Sequence, residues 1–258
     1  MLEIENIGVT IGGRNIIRSF SHQFMDGSIT AVVGLNGAGK STLLRAIAGI
    51  MHCEGDVVVN GGHFFQMPHK ERAKYISYLP QVLPHPHMDT ETLIAHGRFS
   101  RQGLSHVLSQ QDHQAVSSAM ELTNTSQLRY RQISGLSGGE RQRVFLAMVI
   151  AQDTPVILLD EPDTYMDVIY KQELVRIIKK LKNMGKTILM TSHDLPQSFQ
   201  TADRILVIKE GYIVGGGETN DPESLRQVLT KGMGVSVKKL DEDGLCTPFV
   251  LEWRDRYE

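Results

Sequence analysis

Gly34-Leu35-Asn36-Gly37-Ala38-Gly39-Lys40-Ser41-Thr42 is the stretch on which the fold turns. It fits the pattern G-x-x-x-x-G-K-[ST]. Ahead of it, Ser28 to Val33 is apolar enough to be a strand buried on both faces, as in a parallel sheet. Behind it, Thr42 to Ala48 reads as a helix, with Gly49 where a C′ glycine would end it. The order strand, turn, helix is what the chemistry needs. Glycines let successive backbone N–H groups curl around phosphate oxygens, and the helix N-terminus adds a favourable dipole. All nine residues from Gly34 to Thr42 are therefore expected to cradle the phosphates of a nucleoside triphosphate. Lys40 is expected to reach the β- and γ-phosphates, and Ser41 to offer its hydroxyl to Mg²⁺.

A phosphate cradle of this kind needs a metal partner, and one stands downstream. Val156-Ile157-Leu158-Leu159-Asp160-Glu161 reads as a buried strand with two carboxylates at its C-terminal end, the end where open α/β sheets bind ligands. Asp160 is expected to hold Mg²⁺. Glu161, one residue on, is placed to polarise an attacking water as general base. Taken alone, this run is only a strand ending in acids; the glycine-rich turn upstream gives it meaning.

Around these two motifs the chain alternates. Leu2, Ile4 and Ile7 form a strand-like start before a Gly12-Gly13 turn, and Val57 to Val59 precedes an Asn60-Gly61 turn. From Leu83 to about Gln152 the strand signals fade. Ser109-Gln110-Gln111-Asp112 matches a capping box, with Ala115, Val116, Ala119 and Met120 following at helical spacing. Strand patterns return at Val156 to Leu159, Thr187 to Met190 and Ile205 to Ile208, with an amphipathic helix over Val168 to Leu181. Strand–helix–strand alternation predicts an α/β parallel sheet with a helical insertion. After about Gly232, Val235 with Val237 and Phe249 with Leu251 suggest a small added edge.

Leu136-Ser137-Gly138-Gly139-Glu140-Arg141-Gln142-Arg143 matches the signature of ABC ATPases, shortly before the carboxylate strand as in those proteins. Ser137, Gly138, Gly139 and Glu140 enter a helix and read as a second anion-binding N-terminus. Gln81, in Leu79-Pro80-Gln81, resembles the family's Q-loop, and His193, in Thr191-Ser192-His193-Asp194, resembles its H-loop. The five elements stand in family order. More narrowly, Glu161-Pro162-Asp163-Thr164-Tyr165-Met166-Asp167 looks like the E-P-T-T-Y-L-D run of ATPase subunits serving importers of ferric siderophores, haem and cobalamin. His96-Gly97-Arg98 and the Phe145 to Val149 helix also look like that group.

The resemblance implies a P-loop core with a mostly parallel sheet, an antiparallel β subdomain and an inserted helical subdomain, all in one ABC ATPase domain over residues 1–258. Residues 1–84 and 153–231 would be the nucleotide-binding core with its β subdomain, 85–152 the helical subdomain, and 232–258 a C-terminal extension. It implies ATP and Mg²⁺ as ligands, with Ser41, Gln81 and Asp160 on the metal and with Glu161, His193 and Gln81 serving hydrolysis. The signature turn is expected to close over the γ-phosphate held by a second subunit in a head-to-tail homodimer. A multi-spanning permease, with an extracytoplasmic substrate-binding protein acting through it, would be the membrane partner. The chain itself would sit peripherally on the cytoplasmic face. A soluble relative of the iron–sulfur assembly type is the alternative. The single set of motifs disfavours translation factors, and the lack of sustained heptads disfavours chromosome-type proteins.

Two residues depart from the pattern. The place where many ABC ATPases stack an aromatic on adenine is Ile11, which can pack on the base without ring geometry, at a loss of about 1 kcal/mol. Asp163 replaces the usual threonine beside Glu161. It would either raise the pKa of Glu161 or face solvent, and solvent is the expectation.

Bulk properties agree. Net charge is −2 in 258 residues, so no basic field points to nucleic acid or to direct lipid binding. Two cysteines, Cys53 and Cys246, make neither a disulfide framework nor a zinc site, and fit a reducing compartment. His85 and His87, set among prolines, read as an exposed loop rather than a metal site. Met1 to Thr10 does not read as a secretory signal, and no apolar run approaches the roughly 18 residues that span a bilayer.

Overall fold

The computed structural model describes residues 1–102, 107–164, 166–239 and 249–253, with the backbone alone for Pro222, 237–239 and 249–253. Tyr165 and Cys246, singled out above, lie outside the described residues. In chain order the elements begin with β1 (Leu2–Ile11), β2 (Arg14–Phe24), β3 (Ile29–Val33), α1 (Lys40–Ile47), β4 (Glu54–Val59) and β5 (Gly62–His63). They continue with α2 (His69–Arg72), β6 (Ile76–Leu79), α3 (Thr90–His96), α4 (Gln110–Leu122), α5 (Gly138–Ala151), β7 (Val156–Asp160) and α6 (Val168–Asn183). Then come β8 (Thr187–Ser192), α7 (Leu195–Thr201), β9 (Arg204–Lys209), β10 (Tyr212–Glu218), α8 (Pro222–Met233), β11 (Val235–Lys239) and β12 (Phe249–Trp253). Two compact units result: Met1–Phe64 with Thr187–Glu258, and Phe65–Lys186.

In the first unit β1 pairs antiparallel with β2 and β4, and β4 with β5. The Gly12-Gly13 and Asn60-Gly61 turns form as expected, with φ of 56° and 77° in one and 52° and 80° in the other. β1 buries Leu2, Ile4, Ile7 and Val9. A strict two-residue alternation cannot bury both Ile4 and Ile7. Asn6, at φ 53°, and a register shift between Ile4 and Ile7 supply the bulge that does. β2 was not foreseen, for a related reason. Its buried residues Ile17, Phe20 and Phe24 are spaced as on a helix, because Ser19 at φ 45° breaks the pleat between them.

β3 is buried at all five residues and pairs in parallel with β8 on one side and β9 on the other. β10 adds antiparallel to β9, and α8 packs on both. β11 and β12 form a separate antiparallel pair, the small edge suggested by the tail.

The second unit pairs β6 in parallel with β7, buried at all five residues. α3, α4 and α5 pack on one another around Ile94, Val116, Met120 and Phe145. Ser109 and Asp112 close the expected capping box at the start of α4. Asp112 also binds Arg98 Nε at 2.8 Å, and Arg98 Nη1 reaches the Ala151 carbonyl at 2.8 Å, which ties α3, α4 and α5 together. Both charges are buried, so each depends on the other. Burial alone would raise the Asp112 carboxyl, but hydrogen bonds from Ser109 and Arg98 outweigh it and hold the group down at about 2. Asp112→Ala is expected to cost about 3–5 kcal/mol near neutral pH, measured by urea unfolding. The pair's contribution is present above the ordinary carboxyl value of 3.8 and is lost as pH falls from there through about 2. The gap between variant and parent should narrow over that window.

Candidate nucleotide site

In the first unit the glycine-rich turn leaves β3 at Gly34. A Cβ there would sit 2.3 Å from the Ile208 carbonyl of β9, so only glycine fits where these strands meet. The Ala38 N–H donates to the Leu35 carbonyl at 3.1 Å, and Leu35, Asn36 and Gly37 are the exposed tip of the turn. Gly39 caps α1 with a left-handed φ of 103°, and a Cβ on it would strike Ile17 Cδ1 at 2.7 Å. α1 starts at Lys40, two residues before the sequence suggested, with Ser41 and Thr42 half-buried in its first turn. Gly49, at φ 68°, follows it as the C′ residue.

The start of α1 differs from the other helices of seven or more residues. α3, α4, α5, α6, α7 and α8 are each capped by an Asp or Ser side chain. α1 has no side-chain cap and no acid in its first turn. Its N–H donors and dipole are thus presented to an anion from outside the helix. Lys40 is only 6% exposed, and its ammonium donates to the Gly34 carbonyl at 2.8 Å and to the Leu35 carbonyl at 3.3 Å. The cation is therefore held inside the turn.

His193 follows the end of β8. Ser192 pairs with Val33, so His193 stands level with Gly34 on the neighbouring strand. It is exposed, and Asp194 after it caps α7. Ile11 ends β1 opposite Arg14 and is 48% exposed.

The same register logic works in the second unit. Leu79 pairs with Leu159, so Gln81 and Glu161, each two residues on, are level at the C-terminal end of β6 and β7. Gln81 Nε2 donates to Glu161 Oε2 at 2.7 Å. Asp160 is fully buried, and the Tyr78 hydroxyl donates to its Oδ2 at 3.1 Å. Tyr78 went unrecognised because β6 is only four residues long and its burial does not alternate.

Ser137 is the N-cap of α5. Its hydroxyl accepts the Glu140 N–H at 3.3 Å, and Glu140 Oε2 accepts the Ser137 N–H at 2.9 Å. Hydrogen bonds from the Ser137 backbone and hydroxyl hold the Glu140 carboxyl below its ordinary value against the opposing push of burial, with help from Arg131 and Arg143. This box engages the N–H groups of Ser137 and Glu140 but not those of Gly138 and Gly139. One helix turn on, Gln142 Nε2 donates to the Pro162 carbonyl at 3.2 Å, and so links the signature helix to the turn after Glu161.

Asp163 corrects the sequence reading. It does not face solvent: it is 3% exposed, with Oδ2 3.4 Å from Lys171 Nζ on α6. The turn at Glu161 folds inward, and Lys171 supplies the charge that makes a buried carboxylate tolerable. His85, expected in an exposed loop, is exposed and contacts Arg141 Nη1 at 3.1 Å through Nδ1. Among the described residues no helix is long and apolar enough to cross a membrane.

The profile of the ABC transporter family matches residues 17–164, more than half of the chain. The chain belongs to the ABC transporter family. It is an ATP-binding ATPase of that family, and its fold is the ABC ATPase fold. Its relatives include the iron(3+)-hydroxamate import ATP-binding protein FhuC of Bacillus subtilis, 36% identical over 88% of this chain and 87% of that protein. The ferric enterobactin transport ATP-binding protein FepC of Escherichia coli is 32% identical over 96% of this chain and 92% of that protein. The hemin import ATP-binding protein HmuV of Pseudomonas aeruginosa is 33% identical over 95% and 97%. Among solved structures, a nucleotide-free ATP-binding cassette from an ABC transporter superposes with a TM-score of 0.78 at 22% identity, covering 89% of this chain and 95% of that one. A dimeric bacterial ABC transporter cassette superposes with a TM-score of 0.75 at 22% identity, covering 85% and 99%.

Gly39→Ala tests the cradle. The positive φ and the contact with Ile17 should distort the turn and weaken ATP affinity by at least about tenfold, read by fluorescence titration with a nucleotide analogue. Parental affinity would show that the loop tolerates a side chain where the structure leaves no room.

Proposed function

We propose that this chain is the ATP-hydrolysing subunit of an importer for an iron chelate, either a ferric siderophore or haem, with cobalamin as the related cargo class. The observation that carries this reading is the match, over nearly the full length of both chains, to relatives named for hydroxamate, enterobactin and hemin uptake. The iron–sulfur assembly reading finds no such support.

The residues take these roles. Gly34 to Thr42 wrap the ATP phosphates with backbone N–H groups, and Lys40 exchanges its carbonyl partners for β- and γ-phosphate oxygens. Ser41, Asp160 and Gln81 offer a hydroxyl, a carboxylate and an amide oxygen, a hard-oxygen set suited to Mg²⁺. Gln81 Nε2 is committed to Glu161, which leaves its Oε1 for that duty. When bound, Mg²⁺ supplies neutralising charge on the phosphates. Glu161 takes the proton of the attacking water, and His193 steadies the γ-phosphate. Ser137, Gly138, Gly139 and Glu140 of one copy complete the site of a second copy in a head-to-tail homodimer. A solved cassette of this fold is dimeric, which supports a pairing of two copies.

Residues 1–84 and 153–231 act as the nucleotide-binding core, residues 85–152 as the helical subdomain that meets the permease, and 232–258 as an extension. The transport path lies in a separate multi-spanning permease fed by an extracytoplasmic binding protein, with this chain on the cytoplasmic face. The absence of a membrane-spanning helix among the described residues is compatible with that division.

Glu161→Gln should keep ATP affinity while turnover drops by at least about 100-fold, and a closed dimer should accumulate with ATP in gel filtration. Normal hydrolysis by this variant would remove Glu161 from the base role. Extraction of the tagged chain from detergent-solubilised membranes should bring down a multi-spanning protein; a soluble partner instead would end the transport reading.

A further inference from the structure

The turn after β7 is held from three sides. Glu161 has a φ of 46°, a left-handed conformation that a residue with a side chain seldom adopts. Its carbonyl accepts the Thr164 N–H at 3.2 Å, which closes a four-residue turn over Glu161, Pro162, Asp163 and Thr164. Gln81 holds the Glu161 carboxylate, and Gln142 of α5 holds the Pro162 carbonyl. The third hold is on Asp163.

The Asp163 carboxylate is almost completely buried, with Oδ2 3.4 Å from Lys171 Nζ. Among the described residues no hydrogen bond reaches that oxygen. A charge so placed depends on its counter-ion. Lys171 is the fourth residue of α6, where a cation opposes the helix dipole, and the first turn of α6 carries no acid of its own. Asp163 offsets that local cost and adds a second negative charge at the helix start, beside the N-cap Asp167 whose carboxylate accepts the Tyr170 N–H. The resembling importer run has threonine at this place, so the carboxylate is a departure of this sequence from that run.

We propose that the Asp163–Lys171 ion pair is a positioning device for Glu161: by fixing the third residue of the turn to α6, it holds the first residue at the strained backbone angle that aims its carboxylate. The proposal rests on the assignment of Glu161 as the base. Asp163 and Lys171 act through the backbone of the turn, not on the nucleotide.

Steady-state ATP hydrolysis by the full chain, with ATP binding measured alongside, tests it. Lys171→Met and Asp163→Asn should each lower kcat at least about tenfold with KM for ATP nearly unchanged, because Lys40 and its loop are not touched. The double variant should lose no more than either single one. Lys171→Arg, which keeps the cation, should behave as the parent. In a Glu161→Gln background, Lys171→Met should cause no further loss, since the pair works through Glu161. Parental kcat in K171M, losses that multiply in the double variant, or a further loss in the E161Q background would each overturn the proposal. Should K171M fail to fold, D163N decides alone: it leaves no buried charge, and the half-exposed Lys171 can turn to water, so an unchanged kcat would overturn the proposal. The two readings fail separately. Normal turnover in E161Q removes the base assignment itself, whereas an inactive E161Q with a normal K171M removes only the role of the pair.

Discussion

A lysine ammonium that is shut away from water must be surrounded by acceptors. Lys40 meets that demand with the carbonyls of Gly34 and Leu35, the first residues of its own turn. The rest of the site follows from this constraint. The chain has to curl back on itself within six residues, which is why glycines with positive φ stand at Gly37 and Gly39. The curl leaves the α1 N-terminus without a side-chain cap, while the other helices of comparable length have one. A buried cation, a helix start with no side-chain cap and a carbonyl-lined turn make a place suited to a polyphosphate, whose oxygens would replace the loop's own acceptors at little cost in reorganisation.

Parallel strands place the remaining groups. Because β3 and β8 run side by side, His193 is level with Gly34. Because β6 and β7 do the same, Gln81 is level with Glu161, and Tyr78 with its hydroxyl meets Asp160. Register, more than any local preference of the loops, sets which side chains share a strand end. The turn at Glu161 shows the other half of the strategy. A backbone angle costing about 1–3 kcal/mol persists because Gln81, Gln142 and Lys171 each hold a different atom of it. With Glu161 as the proposed base, this preorganisation would spare the reaction that ordering step.

Much of this was legible in the sequence where pattern and physics coincide. β3 and β7 announce themselves as largely apolar runs, interrupted by Thr30 in β3 and ended by Asp160 in β7, Gly49 and the Asn60-Gly61 turn fall where their φ values demand, and the Ser109 box forms as written. What escaped was structure whose pattern is disguised. β2 carries a bulge that spaces its buried residues like a helix, and β6 is too short to show a period. Asp163 was misjudged because an acidic side chain in a turn is normally solvated, and its partner Lys171 lies eight residues on, across a helix start. Tertiary pairing of that kind leaves no local mark.

The central claim is that ATP hydrolysis at this site drives iron-chelate uptake. The most direct test reconstitutes the chain with the proposed permease and binding protein in liposomes and follows radiolabelled ferric hydroxamate, ferric catecholate and haem. The account predicts that at least one chelate accumulates in the lumen only when ATP is present on the side of this subunit, and that the same chelate raises ATP turnover. ATP turnover with no accumulation of any of the three, and no response to them, would contradict it.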